Sequence, residues 1–169
     1  VAEFQTTPER ITGIVHATTV ATNAILEYKG ACTGLLTTAG FRDVLEMRRL
    51  RIPVLYDLQY DKPKPLVARR LRLEARERLG ADGAVRLPLA EEDVIAAAHQ
   101  FREAGVEAVA ISFLHAYANP AHEIAAEAIL RRELGEAVYI CRGSEILPEI
   151  REYERTGTAV VNAYIGPVV

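Results

Sequence analysis

Three short apolar runs, Cys32–Thr38, Glu107–Leu114 and Ala137–Cys141, alternate with stretches of helical spacing, and that alternation constrains the chain more than any other feature. Strand, helix, strand in succession implies a mostly parallel sheet, because the helix is the crossover that brings the chain back to the same sheet. A further strand is read over Ile11–Thr19, buried at Ile14 and Val15 and running into a polar Thr18-Thr19 loop. Val20–Lys29 has helical composition with Gly30 as its stop, and Phe41–Met47 reads as another short helix. Glu91–Ala104 places Val94, Ala98 and Phe101 on one stripe before Gly105 ends it. Ala121–Leu134 is the strongest helix, its expected apolar face being Ala121, Ile124, Ala125, Ala128 and Ile129 at i, i+3, i+4, i+7, i+8. Pro148–Tyr164 reads as a last helix, with Pro148 in its first turn and Gly157 as a weak point.

Arg48–Arg70 breaks this rhythm. Pro53, Pro63 and Pro65 interrupt a basic stretch dotted with Tyr56 and Tyr60, which reads as an extended excursion. Leu71–Leu79 alternates apolar and charged residues with period two, predicting a half-exposed strand. Asp82-Gly83 then signals a hairpin turn from which Ala84–Leu89 returns antiparallel. The expected organisation is one α/β domain over 1–169, a parallel sheet with flanking helices, with 47–90 as an excursion carrying the hairpin.

Composition narrows the class further. With 169 residues, 50% hydrophobic and 25% charged, the chain is no collagen, disordered tail or disulfide-framed mini-protein. A formal net charge of −3 without a basic block argues against nucleic acid as a partner. Cys32 and Cys141 make neither a disulfide framework nor a zinc site, and read as small buried hydrophobes of a reducing, cytoplasmic compartment. The first residues lack the basic and apolar regions of a signal peptide, and no apolar run approaches the roughly 18 residues of a membrane span.

In a parallel sheet ligands bind beyond the carboxyl ends of the strands. Here those ends carry His16-Ala17-Thr18-Thr19, Thr37-Thr38, His115 and Ser144-Glu145, so four polar clusters are expected on one rim. His16–Asn23 collects hydroxyls where a strand hands over to a helix, which suits an anion or carboxylate; simple capping by Thr18 or Thr19 is the commoner explanation of such threonines. Arg42 offers a bidentate clamp for a carboxylate or phosphate, whereas Asp43 at a helix start is explained by the helix dipole. His115, Asn119, His122 and Glu123 do not have zinc-ligand spacing, and Asn119-Pro120 reads as a cap plus first-turn proline. Glu149–Arg155, dense in both signs of charge, is expected to be a solvated helix face, with a buried ion-pair network as the rarer outcome. Neither Gly-x-x-x-x-Gly-Lys-Ser/Thr, Gly-x-Gly-x-x-Gly nor Gly-x-Ser-x-Gly occurs.

Six segments together resemble the amino-terminal region of the hydantoinase A/5-oxoprolinase family. They are His16–Ala24, Thr38–Glu46, Leu55–Leu58, Leu114–Glu123 and the pair Ser144–Thr156 and Asn162–Pro167, in order along nearly the whole chain. Ala17, where the family commonly has glycine, and Arg48-Arg49-Leu50-Arg51 depart from the pattern. The resemblance implies an actin/sugar-kinase-like (ribonuclease H-like) ATPase lobe and ATP-dependent opening of a cyclic amide, with ATP and Mg²⁺ as cofactors. Ketone carboxylation in a related subunit is the nearest alternative, and a non-catalytic interaction domain the alternative of another class. It implies His16 in an acid–base or orienting role, and Thr18, Thr19, Thr22, Asn23, Thr38, Arg42 and Asp43 as substrate- or phosphate-binding residues. The implied partners are the rest of the same protein and a hydantoinase B-type subunit. The family's Asp-x-Gly-Gly-Thr phosphate loops do not occur in this sequence, so a part of a longer protein is expected.

Overall fold

The computed structural model describes residues 19–49, 56–57 and 59–169. The strand expected over Ile11–Thr19 falls almost wholly outside them. Strands β1 (Thr33–Thr38), β2 (Arg72–Ala75), β5 (Ala108–Ser112) and β6 (Tyr139–Arg142) form one sheet in the order β2-β1-β5-β6. Every pairing in it is parallel, so the α/β class with a mostly parallel sheet follows as expected. Strands β3 (Arg78–Leu79) and β4 (Val85–Leu87) make the antiparallel hairpin, turning through Gly83 at φ +76°.

Helices α3 (Glu91–Glu103) and α4 (Ala121–Leu134) pack on one face of the sheet and α6 (Glu152–Ile165) on the other. The short helices α1 (Val20–Leu26), α2 (Val44–Met47) and α5 (Gly143–Ile146) attach to α6. All residues of β1 and β5 are buried, because both faces of a central parallel strand are covered by helices. Leu35, Leu36, Val109 and Ile111 meet Phe101, Leu130 and Val160 in the core. Gly34 is required here: a Cβ on it would stand 2.4 Å from the Phe101 ring. Among the described residues no helix is long and apolar enough to cross a membrane.

Several local expectations change. Leu71–Leu79 is not one half-exposed strand: its first half, β2, joins the main sheet beside β1, and its second half, β3, turns away into the hairpin. Arg72, read as solvent-facing, is buried, since its guanidinium donates to the Val67 carbonyl at 3.1 Å and pairs with Glu46 at 2.9 Å. Helix α4 has the expected bounds but buries the wrong stripe for the sequence reading: Ile124 is 49% exposed, and His122, Glu123, Ala126, Ile129 and Leu130 face inward. The inward set keeps helical spacing, and its first turn satisfies two polar side chains that periodicity treats as surface. Helix α6 begins at Glu152, not at Pro148, after α5 has taken up part of the connection. Helix α1 stops at Leu26, and Tyr28 takes a positive φ of 53° before Gly30 is reached. Cys141 is buried as expected, whereas Cys32 is only half-buried.

Candidate functional site

The parallel register brings the carboxyl ends of β1, β2, β5 and β6 to one edge, and polar side chains collect there. The Thr38 hydroxyl, at the end of β1, donates to Glu77 Oε1 and accepts the Leu114 N–H at 2.8 Å. Glu77 Oε2 lies 2.7 Å from Nδ1 of His122, in the first turn of α4. Glu77 is 1% exposed and His122 7%, so both carboxylate oxygens are satisfied by protein groups in a largely dry setting. Such hydrogen bonds are what make a buried carboxylate tolerable.

A second buried carboxylate sits alongside. Glu123 Oε1 accepts the Phe113 N–H and Oε2 the Ser144 N–H, each at 2.8 Å, joining the end of β5 to the start of α5. Burial pushes its carboxyl above the usual range, against the pull of the Ser144 and Phe113 hydrogen bonds and the Arg155 charge. Arg155 is 0% exposed: Nη1 donates to the Glu149 carbonyl at 2.8 Å, and Nη2 to the Phe113 carbonyl and to Glu152 at 3.1 Å. Its guanidinium also lies 5.5 Å from the Tyr117 ring centre. The Glu149–Arg155 run is therefore a solvated face only in part, and the buried network is what Arg155 makes. His115 closes the rim with φ +58°, its ring edge-on to Tyr117 and its buried Nδ1 without a hydrogen bond among the described residues.

Beyond Thr38 the chain turns through Gly40 at φ +88°, and the N–H groups of Gly40 and Arg42 converge on Glu74 Oε1 at 2.8 and 3.3 Å. Arg42 Nη2 donates to the Arg69 carbonyl at 3.3 Å, while its Nε has no partner among the described residues. Asp43 does not cap α2. Arg69 grips it at 3.0 and 2.9 Å, and that hydrogen-bonded pair holds its carboxyl below the usual range.

Thr38, Arg42 and Asp43 thus stand together on one loop at the rim. Thr19, Thr22 and Asn23 do not join them: α1 packs at the far end of α6, where Val20 and Asn23 border Val168, while Arg155 marks the rim end. Thirteen helical residues separate those two ends by about 20 Å. Among the described residues the Asn23 side chain reaches only Thr19, at 3.4 Å. His16 and Thr18 lie outside the described residues.

The description hydantoinase/oxoprolinase N-terminal region matches residues 1–134. The chain belongs to that family. The alpha subunit of caprolactamase from Pseudomonas jessenii is 45% identical over 157 residues, covering 92% of this chain and 22% of that protein. The gamma subunit of acetophenone carboxylase from Aromatoleum aromaticum is 37% identical over 168 residues, covering 92% of this chain and 23% of that one. The crystal structure of the ATP-dependent caprolactamase from Pseudomonas jessenii superposes with a TM-score of 0.85 over 91% of this chain and 22% of its own. A nucleotide-free acetone carboxylase gives 0.79 at 26% identity, over 88% of this chain and 22% of its own. The chain therefore spans under a quarter of the length of these relatives.

The described part of this hydantoinase/oxoprolinase region does not by itself fit a nucleotide with Mg²⁺. The two buried rim carboxylates, Glu77 and Glu123, have each oxygen engaged by protein donors. Among the described residues no three His, Cys, Asp or Glu side chains are grouped to hold a metal ion. Sequence reasoning missed Glu77, Glu74 and Arg155 as rim residues, since each stands in a charge-rich stretch that reads as surface. His122 and Glu123 were visible only as a mismatched metal motif. Their common spacing with Ala126, Ile129 and Leu130 was the signal that they point inward.

Proposed function

We propose that this chain is part of an ATP-dependent enzyme that opens a cyclic amide ring, and that the Thr38–Arg42 loop lies on the substrate side of its site. The observation that carries the reading is the 45% identity with a caprolactamase alpha subunit, sustained over 92% of the chain. The rim supports it chemically. Thr38 fixes the end of β1 by bonding Glu77 and the Leu114 N–H, and Arg42, on the loop that follows, brings a guanidinium charge to the same edge for an anionic or carbonyl oxygen. Asp43 serves by holding Arg69, whose carbonyl in turn receives Arg42. His16 is proposed as an orienting or acid–base group, and Thr18, Thr19, Thr22 and Asn23 as hydrogen-bonding residues of a second segment. ATP and Mg²⁺ are proposed for the intact protein on similarity alone, and a hydantoinase B-type subunit is proposed as partner because the relatives are named as subunits.

A second reading is carboxylation of a ketone, favoured by the 37% identity with an acetophenone carboxylase subunit. One assay separates the two. The intact protein with its partner subunit is given ATP and either caprolactam, 5-oxoproline or hydantoin, or a ketone with bicarbonate. Lactam opening requires ADP release matched by ring-opened product; ADP release only with ketone and bicarbonate would replace it by the carboxylase reading.

A further inference from the structure

The rim holds a group that the proposed function leaves unused. His122 and Glu77 form a dyad whose polarity follows from Glu77 being a carboxylate, which can only accept. Glu77 Oε2 takes the hydrogen of His122 Nδ1 at 2.7 Å, and Glu77 Oε1 takes that of the Thr38 hydroxyl. With Nδ1 carrying the hydrogen, Nε2 is the ring atom left to accept or release a proton. Nε2 has no hydrogen-bond partner among the described residues, and the His122 side chain keeps 9% of its surface exposed. A clasp between α4 and the hairpin would need only the Nδ1 bond, and Asn119 already supplies one by donating to the Gly83 carbonyl at 2.9 Å. A carboxylate that orients one ring nitrogen while the other stays open is the arrangement of an acid–base histidine.

We infer that His122 is the proton-transfer residue of this rim, with Glu77 as its positioning residue and a cyclic amide as the class of substrate. The inference rests on the lactam-opening reading above. As a water oxygen bonds to the ring carbonyl carbon, His122 Nε2 takes the water's proton. The C–N bond then breaks, its electron pair passes to the ring nitrogen, and Nε2 returns the proton there. Ring opening itself consumes one water, with nothing oxidised or reduced, and the ATP cleavage of the lactam-opening reading is a separate step in which His122 takes no part. Thr38, by occupying the second oxygen of Glu77, keeps that carboxylate from rotating away from the imidazole.

The test is His122→Asn in the intact protein, assayed for lactam opening beside the unaltered protein. The Asn amide nitrogen falls where Nδ1 stands, so the bond to Glu77 persists while Nε2 is deleted. Expected are an unchanged melting temperature and a fall in turnover of about 10²–10⁴-fold, the usual worth of general acid–base catalysis. Turnover equal to that of the unaltered protein would reduce the dyad to a clasp and overturn the inference. An unaltered protein that opens no lactam would instead sink the lactam reading. Labelling with diethyl pyrocarbonate and mass spectrometry then judges His122 independently of activity. Modification at His122 that substrate suppresses supports the assignment, and an unmodified His122 in the native protein overturns it.

Discussion

Arg155, in the first turn of α6, donates from Nη2 to the carbonyl of Phe113, one residue past the end of β5, at 3.1 Å. That bond spans 42 residues of sequence and fastens a surface helix to the centre of the sheet at its carboxyl edge.

Replacing Arg155 by Ala should cost about 3–5 kcal/mol, because the Phe113 carbonyl loses a buried charged donor and the side chain leaves a void. Lysine should rescue little, since it lacks the fork that reaches Glu149, Glu152 and Phe113 together. Urea unfolding followed by tyrosine fluorescence measures both. A midpoint for either variant close to that of the native chain would mean that α6 is held without this residue.

Glu123 carries a pH dependence whose sign follows from its environment. Burial raises its carboxyl, so the folded state keeps the proton over a range where the unfolded chain has released it. Its contribution to stability is therefore fullest below the unfolded value and is lost as pH rises toward the folded one. Glu123→Gln should remove that slope. It should also cost about 1–3 kcal/mol, because the amide NH₂ must face the N–H of either Phe113 or Ser144. Unfolding free energies across the carboxylate range check it: a slope identical in the two proteins would exclude Glu123 as its source.

The two cysteines should separate by reactivity. Cys141 is buried, donates from Sγ to the Ala159 carbonyl at 3.3 Å, and has its thiol pushed up to about 12, chiefly by desolvation. At pH 8 only about one molecule in 10⁴ would carry the thiolate that reacts. Titration of the native protein with a thiol reagent should thus modify Cys32 alone, with Cys141 following on unfolding. Two fast equivalents from the native chain would contradict the burial of Cys141.

The architecture was legible because it depends on runs. Cys32–Thr38 and Glu107–Leu114 are apolar enough that only a doubly covered strand accommodates them, and their parallel pairing places Thr38 and His115 on one rim without further information. What stayed hidden are side chains whose partners are remote in sequence. Glu77 meets His122 across 45 residues and Thr38 across 39. Arg72 falls on the charged side of the alternation and so reads as surface, whereas Glu77 shares the parity of Leu71, Leu73 and Ala75, a position whose burial only its remote partners explain. Thr22 and Asn23 show the converse: they share a motif-rich segment with His16, and the short α1 carries them to the far end of α6, away from Thr38.

The face that α4 buries gives the last prediction. Ile124 and Ile129 belong to the same apparent stripe, but the first is 49% exposed and the second 6%. The helix is turned so that His122 can reach Glu77 and Glu123 can reach the N–H groups of Phe113 and Ser144. Those polar bonds set its rotation, and Ala126, Ile129 and Leu130 follow on the inward side. Ile129→Ala should therefore cost about 2–5 kcal/mol, the range for truncating a buried aliphatic side chain. Ile124→Ala should stay within about 0.5 kcal/mol, as surface substitutions do. Comparison of the two denaturation midpoints decides the rotation. Equal losses would restore the stripe read from periodicity and detach His122 from Glu77.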